Sequence, residues 1–209
     1  MRYYTESDTL FVRGSFRAAS TGINGGVIAF GGRAMDDSLP KYINSPETPV
    51  FKKSDTLYGL HQGRDVIRDK AFVIIVEGYM DVIICYQYGF QNVVAPLGTS
   101  LTSGHLQKLR KLTNEVIIVF DGDVAGIKAA KRSIPLLCQN NFKAKLLLLP
   151  EGEDPDSFLR KNGSAPMKKL LSGALSPVEF LMKTSKGDKI ETVREALGMI
   201  FTMKNLIAA

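Results

Sequence analysis

Glu77, Asp121 and Asp123 are the residues of this sequence whose type and spacing could do chemistry. They stand where two apolar runs stop: Phe72-Val73-Ile74-Ile75-Val76 ends at Glu77-Gly78, and Val116-Ile117-Ile118-Val119-Phe120 ends at Asp121-Gly122-Asp123. Unbroken Val/Ile-rich runs are what strands buried on both faces of a parallel sheet look like. Ligands of such sheets collect at the carboxyl ends of the strands. If the two strands are neighbours, the carboxylates converge, and like charges that close demand neutralisation. A hard divalent cation, which prefers oxygen ligands, is the natural neutraliser. Asp81, four residues past Glu77, would face the same pocket one turn into the next helix. Acid-glycine pairs are also ordinary turn chemistry. What separates these two is that each abuts a buried strand.

The elements that position these acids alternate from residue 72 onward. A strand at 72–76 is followed by a helix at 79–89 carrying Val82, Ile83 and Tyr86 inward, then a strand at 92–95. Gly98-Thr99-Ser100 is a phosphate-friendly turn, and Thr102 or Ser103 caps a helix reaching about Leu112. After the strand at 116–120, Val124, Ile127, Ile134 and Leu137 mark one face of a helix that Pro135 should kink or shorten. A fourth strand at 144–149 leads into the acidic loop Glu151-Gly152-Glu153-Asp154-Pro155-Asp156, which can lend carboxylates to the same pocket. This spacing predicts a right-handed, mostly parallel α/β sheet flanked by helices. Upstream, residues 1–21 carry no clear pattern. Ile23-Asn24-Gly25-Gly26 reads as a hairpin turn into a short strand, Gly31-Gly32 as a close approach of ligand or strand, and 39–49, with three prolines, as an ordered or extended loop. From Pro166 the chain reads helical, with a break at Lys186-Gly187-Asp188. The implied division is a partial N-terminal subdomain with a small mixed β segment at 1–70, the α/β domain at 71–163 and an incomplete helical subdomain at 164–209.

Composition narrows the function classes. The 209 residues carry 27 Lys and Arg against 21 Asp and Glu, for a net charge of +6. From His105 to Lys145 eight basic residues (Lys108, Arg110, Lys111, Lys128, Lys131, Arg132, Lys143, Lys145) face three acidic ones, two of them Asp121 and Asp123. A positive surface around a negative pocket suits a phosphate backbone held beside a metal. Cys85 and Cys138 sit alone in apolar stretches. They read as buried free thiols in a reducing compartment, with no zinc module. No stretch approaches the roughly 18 to 20 apolar residues that span a bilayer, and the N-terminus has no signal-peptide pattern, so a cytoplasmic protein without membrane partners is expected. His61 and His105 lack catalytic surroundings and read as ordinary loop or helix-surface residues, while Tyr3, Tyr4, Tyr86 and Tyr88 read as packing or surface residues.

Glu77-Gly78-Tyr79-Met80-Asp81 with Asp121-Gly122-Asp123 resembles the TOPRIM motif pair of primases, type IA and II topoisomerases and several nucleases. Two adjacent strand ends would aim carboxylates at one or two Mg²⁺ ions, while the glycines let phosphate oxygens approach the backbone. A further set is more discriminating: Phe30-Gly31-Gly32-Arg33, Pro40-Lys41-Tyr42-Ile43-Asn44-Ser45-Pro46-Glu47-Thr48, Leu57-Tyr58-Gly59-Leu60, Pro96-Leu97-Gly98-Thr99-Ser100 and Gly152-Glu153-Asp154-Pro155-Asp156. In order and separation, across about residues 25–182, these resemble the catalytic core of the bacterial DnaG-type DNA primases.

That resemblance implies template-directed synthesis of short RNA primers on single-stranded DNA during replication. Mg²⁺ or Mn²⁺ would be held by Glu77, Asp121 and Asp123, with Asp81, Asp154 and Asp156 supporting them or binding a second ion. Arg33, Lys41, Tyr42, Asn44 and Lys53 match positions lining the nucleotide and template path. Implied partners are the DNA template, the RNA primer, ribonucleoside triphosphates and, through a domain this sequence does not match, the replicative helicase of the primosome. Ser15-Phe16-Arg17-Ala18-Ala19 stands where the family shows a basic Phe-Pro-Ile stretch, so Arg13 and Arg17 receive no template role. The family's zinc ribbon also finds no match, and the sequence reads as a fragment of such an enzyme. The alternatives are a TOPRIM nuclease or topoisomerase fragment, and an inactive single-stranded-DNA-binding fragment.

Overall fold

The computed structural model describes residues 15–34, 42–185 and Gly198. A three-stranded antiparallel sheet joins β1 (Ser15–Thr21), β2 (Val27–Ala34) and β3 (Tyr42–Asn44) in that order. A five-stranded sheet has the order β4-β6-β5-β7-β8, built from β4 (Leu57–Tyr58), β5 (Val73–Ile75), β6 (Val93–Pro96), β7 (Glu115–Phe120) and β8 (Lys143–Leu148). Only β4 pairs antiparallel in it. The helices are α1 (Leu60–Lys70), α2 (Tyr79–Gln87), α3 (Ser103–Arg110), α4 (Val124–Gln139), α5 (Pro155–Asn162), α6 (Ser164–Ser172) and α7 (Pro177–Thr184).

Both faces of the larger sheet are covered, which is why its strands read as unbroken apolar runs. Val73, Ile75, Val116 and Ile118 point into one core with Ile67 of α1, Leu106 and Leu109 of α3, Ile134 and Leu137 of α4, and Phe180 and Leu181 of α7. Ile74, Val119 and Leu147 point into the other, with Val82 and Cys85 of α2, Phe158 and Leu159 of α5, and Met167 and Leu171 of α6. The open edge of β8 is closed by Leu175, which exchanges two backbone hydrogen bonds with Leu146 at 2.7 and 2.9 Å. Cys85 and Cys138 are buried free thiols. No helix among the described residues is long and apolar enough to cross a membrane.

Several local expectations need correction. Residues 15–21, without pattern in the sequence, form a strand because β2 offers a partner across the Gly25 turn (φ 87°). Leu60–Lys70 is a helix the sequence hides: Leu60, Gly63 and Ile67 alone are buried, too thin a stripe among charges to stand out. Val124 does not join the inward face of α4 and is 68% exposed, because the first helical residue still points past the core. Pro135 does not shorten α4, which continues to Gln139. Its ring is on the exposed side, where water can satisfy the carbonyl it strands one turn back. The expected break at 186–188 lies outside the described residues.

Phe180 is 1% exposed at the heart of the first core. Phe180→Ala is expected to cost about 3–5 kcal/mol in chemical denaturation. A loss below about 1 kcal/mol would show that α7 is not part of that core.

Candidate metal and nucleotide site

Parallel pairing brings four strand ends to one side of the sheet. Glu77 follows β5, the 96–101 turn follows β6, Asp121 follows β7 and the acidic loop follows β8. β4 runs the other way, so the loop 51–56 that precedes it arrives at the same side. Val73 pairs with Val116 and Ile75 with Ile118, a register that carried on sets Glu77 beside Phe120, one residue short of Asp121. Asp121 N accordingly donates to Glu77 Oε1 at 3.4 Å.

Gly122 has a different purpose from the one its motif suggests. Its N–H donates to Glu153 O and its carbonyl accepts from Gly152 N, both at 2.9 Å. A Cβ there would overlap the Pro150 carbonyl oxygen. The glycine admits the crossing backbone of the acidic loop, not a phosphate. Gly78 is the open one, with only Asp81 Oδ2 near an added Cβ, at 3.3 Å.

The remaining acids are partly engaged. Asp123 Oδ1 caps α4 by accepting from Gly126 N at 2.6 Å. Asp154 Oδ1 caps α5 through Ser157 N at 2.7 Å, and Asp81 Oδ2 accepts from Gly78 N at 3.0 Å in the first turn of α2. Asp156 is ion-paired with Arg160 Nε at 2.8 Å, so it is turned to its own helix. Glu77, Asp81 and Asp121 carry the electrostatic load. Burial, then Asp121, Asp154 and Glu77, push Asp81 up to about 7 against the hydrogen bond from Gly78. Burial, then Glu77, Asp154 and Asp123, push Asp121 up to about 7. Glu77 is raised by burial and Asp123, opposed by the Asp121 N–H and by Arg132.

This donor set fits a hard cation. All its ligands are oxygens, and Asp121 Oδ1 is buried without a hydrogen-bond partner among the described residues. As they stand, no three acidic, histidine or cysteine side chains among the described residues form a closed ligand group. Glu77 and Asp121 are neighbours all the same, since the 121 N–H reaches the Glu77 carboxylate.

Beside Glu77 opens a cleft of about 430 Å³ lined by Gly98, Thr99 and Ser100 on one side and Ala129, Arg132 and Ser133 of α4 on the other. Arg132 was legible only as one charge in a basic stretch. The stripe Ala129-Arg132-Ser133 at helical spacing is the signal that places it. Of the expected nucleotide-path residues, Arg33 is half-buried on β2, and Asn44 on β3 lies against Gly31 and the Gly98 turn, with its Oδ1 buried. Asn44 therefore joins the two sheets at the site. Lys53 is in the 51–56 loop, half-buried. Tyr42 pairs with Arg33 through its backbone, and Lys41 lies outside the described residues. His61 Nδ1 donates to Ile23 O at 3.0 Å and so ties α1 to the β1–β2 hairpin. Tyr86 OH donates to Gly59 O at 3.5 Å, while Tyr3 and Tyr4 are outside the described residues.

Known proteins share this fold. Residues 74–159 match the family model described as Toprim-like, and residues 21–64 match the one described as DNA primase catalytic core, N-terminal domain. The DNA primase of Aquifex aeolicus is 44% identical over 172 residues, 82% of this chain and 34% of the relative. The crystal structure of the zinc binding and RNA polymerase domains of the A. aeolicus primase superposes with a TM-score of 0.84 at 40% identity, covering 93% of this chain and 48% of that one. A DnaG primase catalytic domain bound to single-stranded DNA gives 0.79 at 34% identity, covering 90% and 64%. The chain spans about a third of the length of the curated relatives it matches.

Gly122→Ala is expected to lose roughly 3 kcal/mol of stability, the upper range for overpacking, and to displace the acidic loop. An unchanged melting temperature would refute the crossing. Because the raised Asp121 carboxylate destabilises the fold when charged, metal-free protein should lose stability as pH climbs from the ordinary carboxylate range towards 7. Asp121→Asn should therefore melt above wild type at pH 7.5 without divalent cation, and the gap should close near pH 4. A variant that melts lower at both pH values would deny the repulsion.

Proposed function

The chain belongs to the bacterial DnaG-type primase family, over the catalytic core, and on that premise we propose that it joins ribonucleotides into short RNA primers on single-stranded DNA. The observation that carries this reading is the meeting of Glu77 and Asp121, past the carboxyl ends of adjacent parallel strands, beside a cleft walled by Thr99, Ser100 and Arg132. Glu77, Asp121 and Asp123 would take Mg²⁺ or Mn²⁺, with Asp81 and Asp154 behind them and Asp156 holding Arg160 instead unless it turns. The bound ion would lower the charge on the α-phosphate, help ionise the attacking 3′-hydroxyl and stabilise the departing pyrophosphate.

The chain's own residues supply position and charge. Arg132 and the 98–100 turn bracket the cleft where phosphates of the incoming nucleoside triphosphate would lie, offsetting charge the acids leave over. Arg33, Lys41, Tyr42, Asn44 and Lys53 would line the nucleotide and template path, with Asn44 fixing the small sheet over the Gly98 turn. Lys111, Lys128 and Lys131 on or beside α3 and α4 offer a sequence-independent grip on DNA phosphates, so binding should weaken with salt. Coupling to the replicative helicase would lie in a part of the longer family members that this sequence does not match.

The test is to incubate the protein with single-stranded DNA, Mg²⁺ and labelled ribonucleotides beside Asp121→Ala. Short RNA products that fall by about a hundredfold or more in the variant, with DNA binding kept, are expected. Cleaved DNA would replace this reading with a nuclease, and no product from wild type would leave only a binding fragment.

A further inference from the structure

The loop 51–56 is gripped by α3 along three consecutive residues. His105, with 0% exposure, donates from Nε2 to Lys53 O at 2.8 Å, while its Nδ1 accepts from Thr102 N at 3.1 Å. A ring nitrogen facing a carbonyl must be the donor and one facing an N–H the acceptor, so the ring is the neutral Nε2–H tautomer. Burial favours that neutral form, against the pull of the Lys53 carbonyl and Asp55 and together with the push of Lys108. Thr102 Oγ1 donates to Ser54 O, and Lys108 Nζ pairs with Asp55 Oδ1 at 3.3 Å. Positions 102, 105 and 108 recur every third residue along one helix face. Gly104 lets the loop lie against that face, since a Cβ there would come within 2.7 Å of Ser54 O. From the far side Glu47 Oε1 accepts from Lys53 N at 2.8 Å.

Both peptide groups of Lys53 are thus tied down, one to Glu47 and one to a buried imidazole. α3 also follows directly on the 98–101 turn that walls the cleft. The clasp therefore sets where the Lys53 main chain stands relative to that turn. We propose that His105 is a positioning residue, acting through Lys53 to hold its ammonium for the triphosphate of the incoming nucleotide. This rests on the reading of Lys53 as a nucleotide-path residue. A lysine side chain is a flexible point charge, so anchoring its backbone on both sides limits the volume the ammonium searches and raises its effective concentration at the phosphates.

The test is a kinetic cycle in the primer-synthesis assay, with wild type, Lys53→Ala, His105→Leu, the double variant and His105→Gln, each checked by melting temperature. His105→Leu should raise the KM for ribonucleotide about fivefold, the weight of one hydrogen bond, with little change in kcat. His105→Gln, which keeps an amide donor near the Nε2 position, should recover most of that. In the Lys53→Ala background His105→Leu should add nothing. Equal KM increases in both backgrounds, or a fall in kcat alone, would overturn the inference while leaving the primase reading intact. No KM change in Lys53→Ala would remove Lys53 from the nucleotide path, and the inference with it. No product from wild type would defeat the primase reading itself, and the inference that depends on it. Should His105→Leu fail to fold, His105→Asn, whose shorter amide does not reach the Lys53 carbonyl, takes its place in the cycle.

Discussion

The site depends on one register. β5 and β7 pair in parallel in a register that sets Glu77 beside Phe120, so the Glu77 carboxylate comes within hydrogen-bond range of the Asp121 N–H. Burial, and after it the neighbouring like charges, make charged carboxylates unfavourable in this corner, and both raise the proton affinities of Asp81 and Asp121. Part of that penalty is offset by the helices. α2, α4 and α5 all begin at this corner, and Asp81, Asp123 and Asp154 each accept a backbone N–H in a first turn. Helix N-termini favour negative charge, so three of the acids are held by the elements they help to start. Asp121, with one oxygen buried and unpartnered among the described residues, has no such help. It is the acid with most to gain from a cation.

Much of this was legible because strand burial leaves a strong trace. The unbroken runs at 72–76 and 116–120, the acids at their ends and the cap at Thr102 all fall where the sequence places them. Elements that owe their existence to partners were not legible. β1 needs β2, β4 is two residues long, and α1 buries too few side chains to show a stripe. Tertiary context decides such segments, since their local preference is weak.

Roles were harder to read than positions. Gly122 looks like a phosphate-binding glycine, yet the Pro150 carbonyl occupies the space its side chain would need. His105 looks like a surface residue of a basic helix and is fully buried, because its partner, the Lys53 carbonyl, is 52 residues away in sequence. Arg132 is one cation among many until the turn of α4 sets it across the cleft from Ser100. In each case the deciding contact comes from a distant segment, and no local pattern encodes it.

Anomalous scattering from crystals soaked in Mn²⁺ tests the central claim most directly, because it locates the ion without reference to activity. The account predicts a peak bounded by the carboxylates of Glu77 and Asp121. A fully soaked crystal with no peak at that corner, or with manganese bound only elsewhere, would contradict it.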